Sequence, residues 1–358
     1  MRSMSRFNMM IFSVLLTGIL LSGCGAKEGT VNSDAASTKS VSSKSYETKD
    51  LFQADPTVYE ENGIYYLYGT NEGDAERGFK VYTSKDAKLW MEPEDADWLD
   101  VQDMEDNYAL KKKDAFGNRG FWAPQVFKYK DSYYMAYTAD EQIAIAKSSS
   151  PLGPFTQTKQ KALFSAATHK TIDPFVFFDS DGQIYLYYVK QNGGNNLYVT
   201  KLNDDLSVNG EESDTACIKA DRQWENTEHA DWPVTEGPTV LEREGTYYLF
   251  YSANDFRSKD YAVGYATSDN PLGPWEKQDE PIISRNTVDA NGPGHGDIFI
   301  GENDELYYVL HTHNSDTDAS PRRTALVKLK YTDGKNDEEG TFSVDKDSFE
   351  FMQYARFK

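Results

Sequence analysis

The chain has 358 residues, a formal charge of −21 at neutral pH and 14% aromatic side chains, including 24 tyrosines and 6 tryptophans. So acidic a protein repels phosphate backbones and anionic lipid, which argues against nucleic-acid binding and leaves neutral ligands unpenalised. With only Cys24 and Cys217, a disulfide scaffold is excluded.

In chain order, Arg2 and Arg6 precede an apolar run from Met9 to Leu21 that is short for a spanning helix and reads as a secretory signal over residues 1–23. It ends in Leu21-Ser22-Gly23-Cys24, which resembles the lipobox of bacterial lipoproteins. That resemblance implies lipidation of Cys24 and attachment to the bacterial cell envelope, at the cell surface or outer membrane, through the lipid alone. Residues 24–48 are rich in Ser, Thr, Lys and Gly and lack the apolar side chains needed to fold, so a flexible tether without secondary structure is expected. The remainder, residues 49–358, is expected to form one all-β domain and to act as a monomer.

Within it a unit recurs. Asp55-Pro56-Thr57-Val58 leads to Ile64-Tyr65-Tyr66-Leu67-Tyr68, and Ala123-Pro124-Gln125-Val126 leads to Tyr133-Tyr134-Met135-Ala136-Tyr137. Asp173-Pro174-Phe175-Val176 and Gly237-Pro238-Thr239-Val240 head two more copies, and Gly296-Asp297-Ile298-Phe299 heads a divergent fifth without the proline. The spacings between Pro56, Pro124, Pro174, Pro238 and His295 are 68, 50, 64 and 57 residues, each long enough for four short strands. Pro151-Leu152-Gly153-Pro154 and Pro271-Leu272-Gly273-Pro274 echo one another after the third strands. Repeated strand units without helical periodicity point to radial repetition, hence a five-bladed β-propeller.

In a propeller the innermost strand of every blade lines the axis, so residues at matching places converge although they are distant in sequence. Asp55 and Asp173 directly precede a head proline, and Glu236 stands one glycine before Pro238. Three acids are therefore expected around one funnel, where like charges raise the pKa of at least one and keep it protonated as a proton donor.

The set Ala54-Asp55-Pro56, Trp122-Ala123-Pro124, Ile172-Asp173-Pro174, Thr235-Glu236-Gly237-Pro238 and Gly292-Pro293-Gly294-His295 resembles glycoside hydrolase family 43 over residues from about 50 to about 330. The resemblance implies an inverting hydrolase of arabinofuranosyl or xylosyl linkages in plant polysaccharides, with Asp55 as general base, Glu236 as general acid and Asp173 orienting the acid and tuning its pKa. Inversion needs roughly 6.5 to 9.5 Å between base and acid to admit a water, which blades two steps apart can supply. It also implies a pocket arginine, Arg322 or Arg323. Strand neighbours face opposite ways, so only one of them should reach the sugar.

No cofactor is implied, apart from a calcium ion that a histidine in the place of His295 can face through water. His311 and His313 lack a third metal ligand nearby, so His311 is read as a substrate contact or a packing residue. Trp122 and Trp232 are candidate platforms for the apolar face of a sugar. Gln125 departs from the family, which often has an acid there, and this leaves the substrate open. The competing class is a surface propeller that binds glycans without cleaving them; the presence of all three acids favours the enzyme.

Overall fold

Each tyrosine-rich run folds as the second strand of an antiparallel sheet, with the run ahead of it as the first. The computed structural model describes residues 46–101, 104–164, 169–210, 214–334 and 339–357. The signal segment, Cys24 and most of the expected tether lie outside the described residues.

The first strands are Gln53–Glu61, Trp122–Tyr129, Thr171–Phe178, Thr235–Arg243 and Gly294–Ile300. Their partners are Ile64–Asn71, Ser132–Ala139, Ile184–Gln191, Thr246–Ala253 and Leu306–Thr312. A third strand follows in every blade, and blades three, four and five carry a fourth. The first strands contact one another in the closed order one, two, three, four, five, one. This is the expected five-bladed propeller.

The period-two alternation of the second strands explains the tyrosine content. Tyr66 and Tyr68 enter an apolar cluster shared with blade two, while Tyr65 and Leu67 enter one shared with blade five. Among the described residues there are five such clusters, one between each adjacent pair of blades. Most tyrosines are therefore packing between blades. Their buried hydroxyls still need partners. Tyr68 donates to the Pro151 carbonyl and Tyr187 to that of Pro271 at 2.6 Å, so the repeated Pro-Leu-Gly-Pro turn serves as an acceptor for the neighbouring blade.

The ring closes where the two ends of the folded domain meet. Tyr46–Asp50 pairs antiparallel with Gln353–Phe357, which also lies parallel to Leu89–Trp90 at the edge of blade one. The tether expectation is corrected here, because residues 46–48 are strand. Their side chains stay exposed, and a backbone ladder needs no apolar side chains, so composition carried no sign of it. The tail beyond Thr332 likewise supplies both the outer strand of blade five, Thr341–Phe351, and this closing strand.

Candidate active site

All five first strands lose register at the same place. The breaks fall between Ala54 and Thr57, Trp122 and Gln125, Ile172 and Phe175, Glu236 and Thr239, and Gly294 and Asp297. At each break one residue adopts left-handed backbone: Asp55 (φ 49°), Ala123 (46°), Asp173 (55°), Gly237 (59°) and His295 (40°). Proline can follow because a bulge removes the ladder bond it would lack. For a residue with a Cβ this conformation costs about 1–3 kcal/mol, and it persists only where the surroundings enforce it.

The enforcement is a relay between blades. In every case the backbone N–H of the left-handed residue donates to a side chain of the preceding blade. Ala123 donates to Thr70 Oγ1 (3.0 Å), Asp173 to Thr138 Oγ1 (3.0 Å), His295 to Ser252 Oγ (2.8 Å) and Asp55 to His311 Nδ1 (3.1 Å). In blade four Gly237 donates instead to Asp173 Oδ2 at 3.3 Å, so this carboxylate holds the backbone next to Glu236. Gly237 itself cannot carry a side chain, since a Cβ would lie 2.8 Å from the His295 ring.

The bulge also refines the sequence reading. Asp55, Asp173 and His295 share one rank around the axis, whereas Glu236 stands one residue earlier, in the rank of Trp122. The three acids nevertheless converge: Asp55, Asp173 and Glu236 line one cavity of about 380 Å³ together with Trp122, Trp232 and Arg322. Below it the five bulges surround a void of about 20 Å³ on the axis, room for a single water.

The carboxyl groups are set apart electrically. Asp55 Oδ2 accepts from Thr70 Oγ1 at 2.6 Å, and its Oδ1 accepts from Arg322 Nη1 at 2.9 Å with His295 Nδ1 3.4 Å away. Burial alone would raise its pKa, but the Arg322 charge and then His295 outweigh it and hold Asp55 well below the usual carboxylate range. Glu236 has no cation of that kind. Its Oε1 accepts from Tyr261 Oη at 2.8 Å and its Oε2 from Asn195 Nδ2 at 3.1 Å. Burial, and next the charge of Asp173, push Glu236 up to about 7. Asp173 is raised as well, by burial and by Asp55, against the opposing pull of His295. His295 would be lowered by burial, yet Asp55, Asp173 and Glu236 together raise it. One acid is thus held anionic while another keeps its proton until near neutral pH in the same cavity.

Arg322 reaches this cavity and is braced by Glu72, which accepts from its Nε at 2.5 Å, and by the Phe256 ring, 4.6 Å from the guanidinium carbon. Arg323 points away, paired with Asp50 at 2.9 Å and lying over Phe351, so its expected sugar contact is corrected in favour of Arg322. Trp122 and Trp232 both line the cavity, and Trp232 is 49% exposed. His311 is 0% exposed and packs flat on Tyr261, so its role is to hold the Asp55 backbone and it cannot touch a sugar. His313 faces the Phe256 carbonyl at 2.9 Å.

A directly bound calcium does not fit the donors. Among the described residues no group of three His, Cys, Asp or Glu side chains is placed to hold a metal ion, and the His295 nitrogen faces Asp55 and Asp173 within their ionic network. Residues between Asp106 and Asn118 border a separate cleft of about 950 Å³ that contains none of the three acids. Sequence reasoning missed Thr70, Glu72, Asn195 and Tyr261. None lies beside a head motif, and only the folded register brings Thr70, Asn195 and Tyr261 to the carboxyl groups and Glu72 to Arg322.

Comparison with known proteins agrees with this geometry. The family model described as glycosyl hydrolases family 43 matches residues 48–336. A β-D-galactofuranosidase of Aspergillus niger is 24% identical over 295 residues, covering 78% of this chain and 79% of that protein. A xylosidase/arabinosidase of Bacteroides ovatus is 26% identical over 342 residues, covering 83% and 96%. The crystal structure of an endo-1,4-β-xylanase from Bacteroides thetaiotaomicron superposes with a TM-score of 0.77 at 35% identity, covering 87% of this chain and 100% of that one. With the family match spanning most of the chain and the propeller in common, this protein belongs to glycosyl hydrolase family 43 and is an inverting glycoside hydrolase.

Proposed function

We propose that this hydrolase cleaves arabinofuranosyl or xylosyl linkages in plant polysaccharides or their oligosaccharides, with Asp55 as base and Glu236 as acid. The observation that carries the assignment is the contrast between two carboxyl groups lining one cavity, Asp55 paired with the Arg322 guanidinium and Glu236 held by the neutral donors Tyr261 and Asn195. Asp55, anionic beside Arg322, takes a proton from a water as the water oxygen bonds to the anomeric carbon. Glu236 gives its proton to the glycosidic oxygen as the carbon–oxygen bond breaks. The products are an inverted hemiacetal and an alcohol, and exchange with solvent returns the proton from Asp55 to Glu236.

Asp173 is a positioning residue. It accepts the Gly237 N–H and its charge helps keep Glu236 protonated. Arg322 is placed to hold both Asp55 and sugar hydroxyls with its rigid fork of donors. Trp122 and Trp232 offer apolar faces to the sugar rings. The relatives named for xylose and arabinose linkages support the substrate class, as does a cavity suited to a neutral ligand in a strongly acidic protein. The protein would be secreted as a monomer and held to the envelope through lipid on Cys24. A calcium ion held through water beside His295 would act on stability: a melting temperature lowered by EDTA and restored by calcium supports it, and indifference to chelator removes it.

The test is a panel of chromogenic arabinofuranosides, xylosides and galactosides with arabinan and arabinoxylan, reading turnover and, by NMR, the first-formed anomer. Inverted arabinose or xylose released from arabinan or arabinoxylan by the wild type and by neither Asp55→Asn nor Glu236→Gln is expected. Turnover restricted to another sugar would overturn the substrate, and near-normal activity of either variant on these polysaccharides would overturn the roles.

A further inference from the structure

We propose that Asn195 is a positioning residue that aims the Glu236 proton at the leaving group, and that the indole N–H of Trp232 in turn fixes the orientation of Asn195. The inference rests on the reading of Glu236 as the acid and adds how its proton is directed and where the leaving unit sits.

Asn195 bridges the two residues. Its Oδ1 accepts from Trp232 Nε1 at 3.1 Å and its Nδ2 donates to Glu236 Oε2 at 3.1 Å. An indole N–H can only donate, so the amide atom facing it must be the oxygen, and the NH₂ is thereby turned to Glu236. The side chain is buried and its backbone is tied to the strand that carries the acid. Asn195 N–H donates to the Pro233 carbonyl at 2.9 Å, and the Asn195 carbonyl accepts from Thr235 Oγ1 at 3.0 Å. Gly194 permits this approach, since a Cβ there would lie 2.7 Å from the Pro233 oxygen.

The consequence concerns direction. Protonated Glu236 has two oxygens on which to carry its hydrogen. Tyr261, wholly buried, occupies Oε1, so Oε2 is the oxygen on the side of the cavity-lining Asn195. With an N–H already pointing at Oε2, the acid hydrogen cannot turn toward Asn195 and is left to point into the cavity. A flipped amide would present its oxygen instead and draw the proton away from the substrate.

The acid protonates the oxygen that leaves, so side chains flanking its cavity-side oxygen also flank the leaving unit. Trp232, half exposed beside Asn195, is therefore the platform for the sugar ring on the leaving-group side. A ring stacked there shields the indole–amide bond from water and strengthens it, which couples occupancy by a sugar to the aim of the proton.

The experiment compares two substrates with the same reacting sugar, an oligosaccharide and its 4-nitrophenyl glycoside, whose leaving group needs little protonation. Asn195→Ala is expected to lose about tenfold or more in kcat on the oligosaccharide and no more than about threefold on the aryl glycoside, a part of the roughly 100- to 10,000-fold that general-acid catalysis contributes. Trp232→Phe keeps a six-membered stacking ring while losing the N–H together with the pyrrole part of the indole. It should lower kcat on the oligosaccharide about fivefold and change KM by less than about twofold. Asn195→Asp keeps the acceptor for Trp232 but places a charge beside Glu236, so the basic limb of its pH profile should move upward. Equal losses on both substrates in Asn195→Ala, or an unchanged kcat in Trp232→Phe, would overturn the proposal. Glu236→Gln separates the two readings. If it lacks the leaving-group dependence, the acid assignment itself fails; if it shows the dependence and the Asn195 and Trp232 variants do not, only the present inference fails.

Discussion

Replacing Asp173 with Asn should move the basic limb of the kcat/KM profile toward lower pH. Glu236 is raised from 4.5 to about 7, a change on the order of several-hundred-fold in proton affinity or about 3 kcal/mol. Burial is the largest cause and the charge of Asp173 the next, so the substitution removes the second and leaves the first. A neighbouring like charge of this kind is worth on the order of one pH unit. Such a shift lowers the protonated fraction of Glu236 at pH 7 from about one half to about one tenth, a loss of about fivefold there and little at pH 5. The asparagine oxygen can still accept the Gly237 N–H, so the backbone of the acid should stay in place. The assay is kcat/KM on an oligosaccharide between pH 3 and 9, because an activated aryl glycoside would hide the need for the acid. The acid limb, set by Asp55, should lie below the ordinary aspartate range in both proteins. A basic limb that stays fixed or moves upward would refute the reasoning, and a uniform loss at every pH would show that Asp173 acts through structure alone.

Other consequences follow from the same contacts. Because the fold raises the pKa of Glu236, its ionised form is penalised in the folded state; the penalty is absent below pH 4.5 and complete above about pH 7. Glu236→Gln should therefore stabilise the protein at pH 8 by about 1–2 kcal/mol, allowing for a side chain partly open to the cavity, and have no such effect at pH 4, as thermal melts at the two pH values would show. Arg322→Met removes the cation nearest Asp55 and should shift the acid limb upward while lowering kcat/KM by at least about tenfold, measurable on the same substrates. Gly237→Ala meets both the His295 ring and an unfavourable φ of 59° and should cost about 2–3 kcal/mol in chemical denaturation. His311→Ala leaves the Asp55 N–H without its acceptor and should destabilise the protein by about 1–3 kcal/mol, with KM affected less than kcat.

The propeller and its acids were legible because they rest on short-range signals. Proline after an acid, paired tyrosines and a turn recur at blade spacing, and each can be read without knowing what lies across the ring. What decided the remaining roles was contact between blades. Arg322 and Arg323 are indistinguishable as neighbours, and only the register of their strand turns one toward Asp55 and the other toward Asp50. His311 reads as a candidate ligand by residue type, yet it takes the place that Thr70, Thr138 and Ser252 hold in other blades, accepting the N–H of the next bulge. The strand at Tyr46 was hidden for a related reason, since its pairing uses backbone groups that composition does not report.

The offset between Glu236 and Asp55 gives two carboxyl groups on one repeat different neighbours. Residues in the left-handed rank point toward the axis, where Arg322, Thr70 and His295 reach Asp55. One residue earlier, Glu236 meets Tyr261 and Asn195, which donate hydrogen bonds but carry no charge. A glycine at position 237 makes the offset feasible, because it fills the axial rank without displacing the His295 ring. An acid moved into that rank would press against the His295 ring and leave the hydrogen bonds from Tyr261 and Asn195 that now hold Glu236. The repeat thus supplies the convergence, and a one-residue departure from it supplies the chemistry.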